Sequence, residues 1–359
     1  MVRMEPVTTP GKKAGSNTGR WRCIRFALGL AITVACVGFI VSRVDFGEIR
    51  EALAHFNWLL APVGLASLSF GYVMRIVRWA LMLRAGGANV SIRDCAAPFL
   101  GSIALNNVLP FRAGDVVRAL VFPGAIGVRR TTAAASLVLE RLVDLLSLLL
   151  CLGAGLTLSG LFSLPAWMKD TVLLLTVGGV GAMAAIALCS APLTSLLGRI
   201  AERIGRGGGG LLAKVLRVTI ELMEGAGAMS RPRTLIVLFG LSLLVWAGET
   251  GLFLSLIFGL GLYAGLAAGL LIMAVATLST LVPSSPGYVG PFHLAVFTAV
   301  SMLGGSSSQA ASLALLTHLG LWLPTTLAGS LFIAANPQLF KGIKGKYAGG
   351  PEADDLKLA

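Results

Sequence analysis

Apolar segments of membrane-crossing length recur along the chain and limit what it can fold into. A helix needs roughly 20 predominantly apolar residues to cross the hydrocarbon core of a bilayer. Segments of this kind lie near residues 24–42, 58–83, 132–161, 168–190, 233–258 and 309–335. Only 13% of the residues are charged and the mean hydropathy is +0.85, whereas about a quarter of the residues in a soluble domain are charged. The sequence therefore predicts an all-α polytopic membrane protein.

Two further apolar segments, 95–126 and 264–303, are each interrupted in the middle by the pattern P-x-x-x-G. The interruptions lie at residues 110–114 and 283–287. Proline lacks a backbone donor and glycine tolerates positive φ, so both patterns should break a helix at membrane depth. We expect each segment to form a re-entrant hairpin, because irregular backbone at that depth must be buried in protein or line a cavity.

The two halves of the chain share this series of elements. The tetrapeptide Ala-Ala-Ser-Leu follows each break, at residues 134–137 and 310–313. We predict an inverted repeat, with about three spans and one re-entrant hairpin in each half, 24–161 and 162–335. An odd number of crossings turns the second half over, so the two hairpins would approach the membrane midplane from opposite faces. Chance recurrence in a sequence rich in alanine, leucine and glycine is the alternative.

The basic residues are distributed as the positive-inside rule requires. They precede the first span, flank the first hairpin, fill the segment 195–232 and follow the last span. Both termini are therefore predicted to be cytoplasmic, with disordered or polar tails at 1–23 and 336–359 and an amphipathic linker at 195–232. Although the net charge is +13, these basic residues flank apolar spans rather than forming a solvated face, which argues against nucleic acid as a partner.

Charged residues concentrate at the first break. Asn107, Arg112, Asp115 and Arg118 surround it, and a helix resuming after Gly114 would present its N-terminus there, with Asp115 placed to cap it. Backbone donors and arginine side chains together could bind a phosphate-containing head group. The same residues could instead neutralise one another on a structural turn, and both interpretations are open.

A second charged group, Glu140, Arg141 and Asp144, lies on the next span. Glu140 and Asp144 share a helix face at i, i+4 spacing, so they need cationic partners. The available arginines are Arg75, Arg78, Arg112 and Arg118. We predict either a buried network that fixes the hairpin or a carboxylate that exchanges a proton during transport.

The second break carries hydroxyl groups and no charge. We predict that both breaks form the gate or path of a substrate, through Pro110, Gly114, Pro283, Ser284, Ser285, Pro286, Gly287 and Tyr288. Possible coupling residues are Glu249, His293 and His318, although a lone buried glutamate could equally hydrogen-bond a neighbouring helix. No set of metal ligands, nucleophile and base, or nucleotide-binding loop is present in the sequence, so we expect no metal and no cofactor.

Three ordered blocks resemble those of a known family. Residues 106–118, 140–144 and 283–290 are similar to the conserved blocks of the flippase-like family, also called the lysylphosphatidylglycerol synthase transmembrane region. The resemblance extends from about residue 25 to 335 and implies movement of lipid between leaflets of a bacterial inner membrane. Bifunctional members continue into a soluble aminoacyl-transfer domain; the present sequence continues only into a short polar tail, so that activity is not expected here.

The leading hypothesis is therefore a lipid translocase that moves an anionic or lipid-linked head group, with a membrane lipid as its substrate. A membrane-embedded lipid-modifying transferase is the first alternative. A scaffold for a lipid-synthesis enzyme, which would be its protein partner, is the second. We expect that the protein is not an enzyme.

Overall fold

A computed structural model describes residues 31–43, 45–159, 166–205, 210–262, 265–282 and 285–340, and this part of the chain is helical throughout, without a strand. The all-α fold class is thereby confirmed. The helices are α1 (Ala31–Val41), α2 (Phe46–Ala54), α3 (Ala61–Ala85), α4 (Ile92–Val108), α5 (Ala113–Leu120), α6 (Arg130–Leu158), α7 (Ala166–Gly205), α8 (Gly210–Met229), α9 (Pro232–Gly259), α10 (Leu266–Ser279), α11 (Pro291–Met302) and α12 (Ser307–Ala335).

Some predictions fall outside the described residues. They are the tail at 1–23, the boundary between the halves at 161 and 162, most of the tail at 336–359, and the path residues Pro283 and Ser284. The first residues of the second tail are described, and they are packed. Pro337–Phe340 form a turn in which Leu339 is buried and the ring of Phe340 lies 5.4 Å from that of Phe122.

Three helices of the described residues are long and apolar enough to cross a membrane, namely Trp58–Ala85, Pro232–Gly259 and Ser307–Ala335. They match three predicted spans. Helix α6 has 29 residues, which also suffices at 1.5 Å per residue, but it carries the charged residues Glu140, Arg141 and Asp144. The protein is a membrane protein in which one long helix brings charge into the bundle.

Helix α7 runs further than the predicted span at 168–190. It continues to Gly205, with a bend of 50° between Leu173–Ile186 and Leu188–Glu202. Residues 195–205 therefore prolong this helix rather than begin a separate element. Helix α8 then returns along α6 and α7, with Gly227 close to Ser190 of α7.

Each predicted hairpin is a pair of helices, α4 with α5 and α10 with α11, joined by a tight turn. The two turns are Pro110–Arg112 and Pro286–Tyr288. Both enter the left-handed region at the two residues after proline. These φ angles are 60° at Phe111 and 51° at Arg112, and 77° at Gly287 and 61° at Tyr288.

This geometry corrects the alignment of the two breaks. The counterpart of Pro110 is Pro286, 176 residues later, and the shared tetrapeptides begin with Ala134 and Ala310, also 176 residues apart. The second P-x-x-x-G pattern thus runs from Pro286 to Gly290, and pairing Pro110 with Pro283 was wrong by three residues. A constant spacing without insertion or deletion supports a repeat more strongly than two separate matches.

The helices also pair in an order that survives exchange of the two halves. Helix α3 packs on α9, α4 packs on α12, and α6 packs on α10. Glycines permit the closest approaches: a Cβ on Gly248 of α9 would lie 2.7 Å from the amide nitrogen of Gly71 on α3. Gly329 faces α4 and Gly155 faces α10 in the same manner. This is the pairing that a two-fold repeat requires, while the orientation of the halves in a membrane stays a prediction.

Candidate functional site

The first polar cluster is centred on Arg78 of α3, whose side chain is fully buried. Its guanidinium donates to both carboxylate oxygens of Asp144, at 2.5 and 3.1 Å, and to the hydroxyl of Ser242 at 2.5 Å. Glu140 lies 3.7 Å away on the same helix as Asp144. Arg78 therefore holds α3, α6 and α9 together through charge-assisted hydrogen bonds.

Arg118 of α5 extends this cluster toward the first turn. Its guanidinium lies 3.1 Å from Glu140 and 3.9 Å from Asp115. The same group lies over the rings of Phe99 and Trp79, at 4.6 and 5.3 Å from the ring centres. The buried N–H groups of Arg118 that have no hydrogen-bond acceptor thus face aromatic surface, which attracts a cation.

The start of α5 is satisfied within the protein. The side-chain oxygen of Asn106 accepts from the backbone N–H of Asp115 at 3.1 Å, and its amide donates to the Asp115 carboxylate at 2.9 Å. Arg141 completes the set with a 2.6 Å ion pair to Asp115. The expectation that Asp115 caps α5 was wrong, because Asn106 makes the capping contact from the neighbouring helix.

These side chains form what we call the charge network, in which three arginines face three carboxylates: Arg78, Arg118, Arg141, Asp115, Glu140 and Asp144. Formal charges cancel, and most of the members are buried. Of the two interpretations left open by the sequence, internal neutralisation is the one seen here. Only Arg141, with 38% of its side chain exposed, offers charge at the surface of the network.

The second polar cluster surrounds a cavity of about 150 Å³ where the two hairpin turns meet, called here the central cavity. Its walls come from α3, α4, α9, α10, α11, α12 and the second turn. The lining residues are Tyr72, Arg75, Asn107, Glu249, Thr277, Thr280, Gly287, Tyr288, Phe292, His318, Leu321, Trp322 and Thr325.

One ion pair faces this cavity. Arg75 donates to Glu249 at 2.7 Å, joining α3 to α9, and the hydroxyl of Thr277 lies 3.3 Å from the other carboxylate oxygen. Arg75 also lies over the rings of Trp246 and Tyr72, at 4.7 and 5.6 Å. Glu249, which stood alone in the sequence, thus has a cationic partner one helical turn from Arg78.

The two turns contact each other directly. Arg112 donates to the hydroxyl of Thr280 at 2.8 Å, and its guanidinium lies 5.4 Å from the ring centre of Tyr288. Arg112 and Tyr288 occupy equivalent positions in the two turns, so an axis relating the halves would pass between them. No carboxylate of the described residues lies within 4.0 Å of Arg112. It therefore stands outside the charge network.

Asn107 fastens the first hairpin to α12. Its amide donates to the hydroxyls of Thr325 and Thr326 at 3.0 and 2.9 Å, and its carbonyl accepts from the indole of Trp322 at 3.3 Å. Of the residues predicted to bind substrate, Asn107 thus lines the central cavity, Arg112 contacts two of its lining residues, and the other five belong to the charge network.

The two predicted histidines lie behind the second turn. His318 reaches the carbonyl of Gly287 at 2.7 Å, and its ring centre is 4.6 Å from that of His293. His318 lines the central cavity, and His293 is in contact with it. No group of three or more His, Cys, Asp or Glu side chains suited to a metal ion occurs among the described residues.

Sequence reasoning missed most of the uncharged lining. Tyr72 with Arg75, Thr277 with Thr280, and Trp322 with Thr325 each stand at i, i+3 spacing on an otherwise apolar helix. Residues at this spacing share a helix face. Searching each span for such polar pairs would have indicated the cavity.

An apolar groove of about 430 Å³ continues from the central cavity along α3, α4 and α12. Tyr72 and Thr325 line both spaces. Beyond them the groove is lined by apolar side chains, among them Leu68, Leu100 and Phe332, and ends near Arg93. A second apolar groove of about 430 Å³, between α1, α6, α10 and α11, shares no lining residue with the central cavity.

A family model described as the lysylphosphatidylglycerol synthase TM region matches residues 26–329. The chain belongs to this family. It is also 25% identical over 331 residues to a protein of Haloferax volcanii named glycosyltransferase AglD, covering 83% of the present chain and 52% of that protein. The chain thus spans about half the length of the curated relative it matches. Both findings indicate a membrane function that involves lipids.

Proposed function

We propose that the protein is a lipid translocase, which moves an anionic or lipid-linked head group between the leaflets of a bacterial inner membrane. Both termini would face the cytoplasm, as the distribution of basic loops predicts. In this proposal the central cavity receives the head group, and the apolar groove along α3, α4 and α12 receives the chain. The protein would transport lipid without changing it chemically.

The observation that carries this proposal is the continuity between a polar and an apolar space at Tyr72 and Thr325. A lipid has a polar head and an apolar chain, so a site for it needs both environments side by side. The groove volume of about 430 Å³ falls in the range of small-molecule sites. The family match supports a lipid substrate.

The position of Arg112 supports an anionic head group. Its charge has no carboxylate partner among the described residues, and it is held at the edge of the cavity by Thr280 and Tyr288. Arginine forms charge-assisted hydrogen bonds with phosphate oxygens. Tyrosine, tryptophan and threonine donors around the cavity would orient the rest of the head group.

Reconstitution into phosphatidylcholine vesicles tests the proposal. Fluorescently labelled phosphatidylglycerol and a labelled polyprenyl phosphate would be added to one leaflet, and the fraction inaccessible to a membrane-impermeant quencher followed over time. The protein should accelerate movement of at least one of these lipids. Rates equal to those of protein-free vesicles for both lipids would contradict a translocase of anionic lipids.

Two variants test the site. Ala328→Trp places an indole in the groove that joins the cavity, and it should reduce the rate to that of empty vesicles. Ala295→Trp is the matched control, because Ala295 lines the second groove and is similarly half-buried. Equal loss of rate in both variants would mean that the first groove has no special role.

A transferase is the second candidate, because the Haloferax volcanii relative bears the name glycosyltransferase. The same vesicles distinguish the two. Mass spectrometry of the recovered lipid would find an unchanged mass for a translocase and a new species for a transferase supplied with a sugar donor.

A further inference from the structure

The central cavity contains one carboxylate and one guanidinium among the described residues that line it, Glu249 and Arg75. They form an ion pair of 2.7 Å with 9% and 12% of their side chains exposed. An anionic head group in this cavity would compete with Glu249 for Arg75. Two anions cannot share one buried cation without a large electrostatic cost, so one charge would have to be removed.

The two oxygens of the Glu249 carboxylate are in different surroundings. Oε2 accepts from Arg75, while Oε1 has only the Thr277 hydroxyl at 3.3 Å. That hydroxyl is also 2.9 Å from the carbonyl of Met273, and it has a single proton to donate. Oε1 is therefore the oxygen with a free lone pair, where a proton can bind without breaking a strong contact.

Arg75 is held in place independently of Glu249. The faces of Trp246 and Tyr72 lie under its guanidinium, and the Trp246 indole is fixed by a 3.0 Å hydrogen bond to Ser147. Cation–π contacts keep a cation in position without neutralising it. Arg75 can thus remain in the cavity as a binding site when its carboxylate partner becomes neutral.

We propose that Glu249 is a proton-binding site that couples lipid transport to proton movement. The inference rests on the proposed function. When an anionic head group enters, its phosphate oxygens take the place of the carboxylate at Arg75, and Glu249 binds one proton from water. When the head group leaves, Glu249 returns that proton to water and pairs with Arg75 again. No covalent bond within the lipid changes, and charge in the cavity stays balanced.

Other titratable groups face this site and could take the same role. They are Tyr72 and Arg78 on α3, Glu140, Arg141 and Asp144 on α6, Tyr288 in the second turn, His293 on α11 and His318 on α12. Both α6 carboxylates are already paired with arginines of the charge network. The histidines are the strongest competitors, because His318 lines the cavity and contacts His293.

Proton uptake on binding tests the proposal without any transport. Phosphatidylglycerol or a polyprenyl phosphate would be added to the detergent-solubilised protein in weakly buffered solution with a pH indicator, and bound lipid measured in parallel. The protein should take up about one proton per bound lipid near neutral pH. Glu249→Gln, which resembles the protonated form, should bind lipid without proton uptake. Glu224→Gln is the control, since it removes an exposed carboxylate on α8 and should leave uptake unchanged.

A pH gradient across vesicles gives the second test. Transport by the unmodified protein should depend on the gradient, while Glu249→Gln should lose this dependence. Uptake retained in Glu249→Gln and lost in His318→Gln would overturn the assignment in favour of the histidines. Lipid binding without any proton uptake by the unmodified protein would overturn it altogether. Proton-linked binding together with vesicles that move no lipid would instead contradict the proposed function and leave Glu249 as the proton site.

Discussion

The charge network and the central cavity are built on the same helices from similar ion pairs, yet they differ in what surrounds them. Arg78 pairs with Asp144 at 2.5 Å and is fully buried, with further partners on every side. Arg75, one turn away on the same helix, pairs with Glu249 at 2.7 Å and faces an open space. Helix α3 therefore carries one arginine that fixes the bundle and one that can exchange partners.

This difference shows that buried charge in a membrane bundle does not by itself mark a substrate site. Ionisable residues inside a membrane are costly, and function is the usual reason for keeping them. In the charge network, however, each carboxylate meets an arginine, so the cost is compensated internally. What distinguishes the central cavity is accessible volume beside the charges.

The largest expected effect is at Asp144. Asp144→Asn retains the volume and removes the charge, so Arg78 stays buried without its main counter-ion. Breaking a buried ion pair on one side costs about 3–5 kcal/mol. The free energy of unfolding in a denaturant titration of the detergent-solubilised protein should fall by this amount.

Glu249→Gln is the matched variant, because it makes the same chemical change in the pair that faces the cavity. Arg75 keeps its two aromatic contacts and access to the cavity, so the loss of stability should be well below that of Asp144→Asn. Equal destabilisation by both variants would contradict the distinction between a closed and an open pair.

A second large effect is expected at Arg118. The sequence suggested that its removal would abolish transport and leave the fold intact. The side chain is 2% exposed and contacts Glu140, Phe99 and Trp79. Arg118→Ala should therefore destabilise the protein by about 3 kcal/mol, in the range for an uncompensated buried charge. An unchanged unfolding midpoint would show that Glu140 finds another partner.

The sequence was sufficient for the spans, the two breaks and the charged residues, because these depend on local patterns of hydropathy, proline and charge. It could not tell which arginine meets which carboxylate, since Arg78 and Asp144 are 66 residues apart in the chain and meet only through helix packing. It also paired Pro110 with Pro283, because both patterns fit the same motif. The left-handed φ angles at Gly287 and Tyr288 reveal the true register, and no composition rule specifies them.

Arg112 should respond in the opposite way to Arg118. It is half-buried and lies outside the charge network, so Arg112→Ala should change the free energy of unfolding by no more than about 1 kcal/mol. Transport of anionic lipid should fall about tenfold or more, since a charged hydrogen bond contributes about 1.5–3 kcal/mol. Transport measured in vesicles, with Arg112→Lys as the variant that keeps the charge, would check both statements. Full transport by Arg112→Ala would remove Arg112 from the site.

The smallest effect concerns the contact between the two turns. Tyr288→Phe keeps the ring under Arg112 and removes only the hydroxyl, whereas Tyr288→Leu removes the ring. Because a partly exposed cation–π contact contributes about 0.5–1 kcal/mol, only Tyr288→Leu should weaken the contact between the hairpins. Hydrogen exchange of the backbone amides in both turns, measured by mass spectrometry, should be faster in Tyr288→Leu and unchanged in Tyr288→Phe. Since Arg112 and Tyr288 are equivalent positions of the repeat, faster exchange should appear in both turns together. Exchange confined to the second turn would mean that the ring supports its own turn, and that Arg112 is held by Thr280 alone.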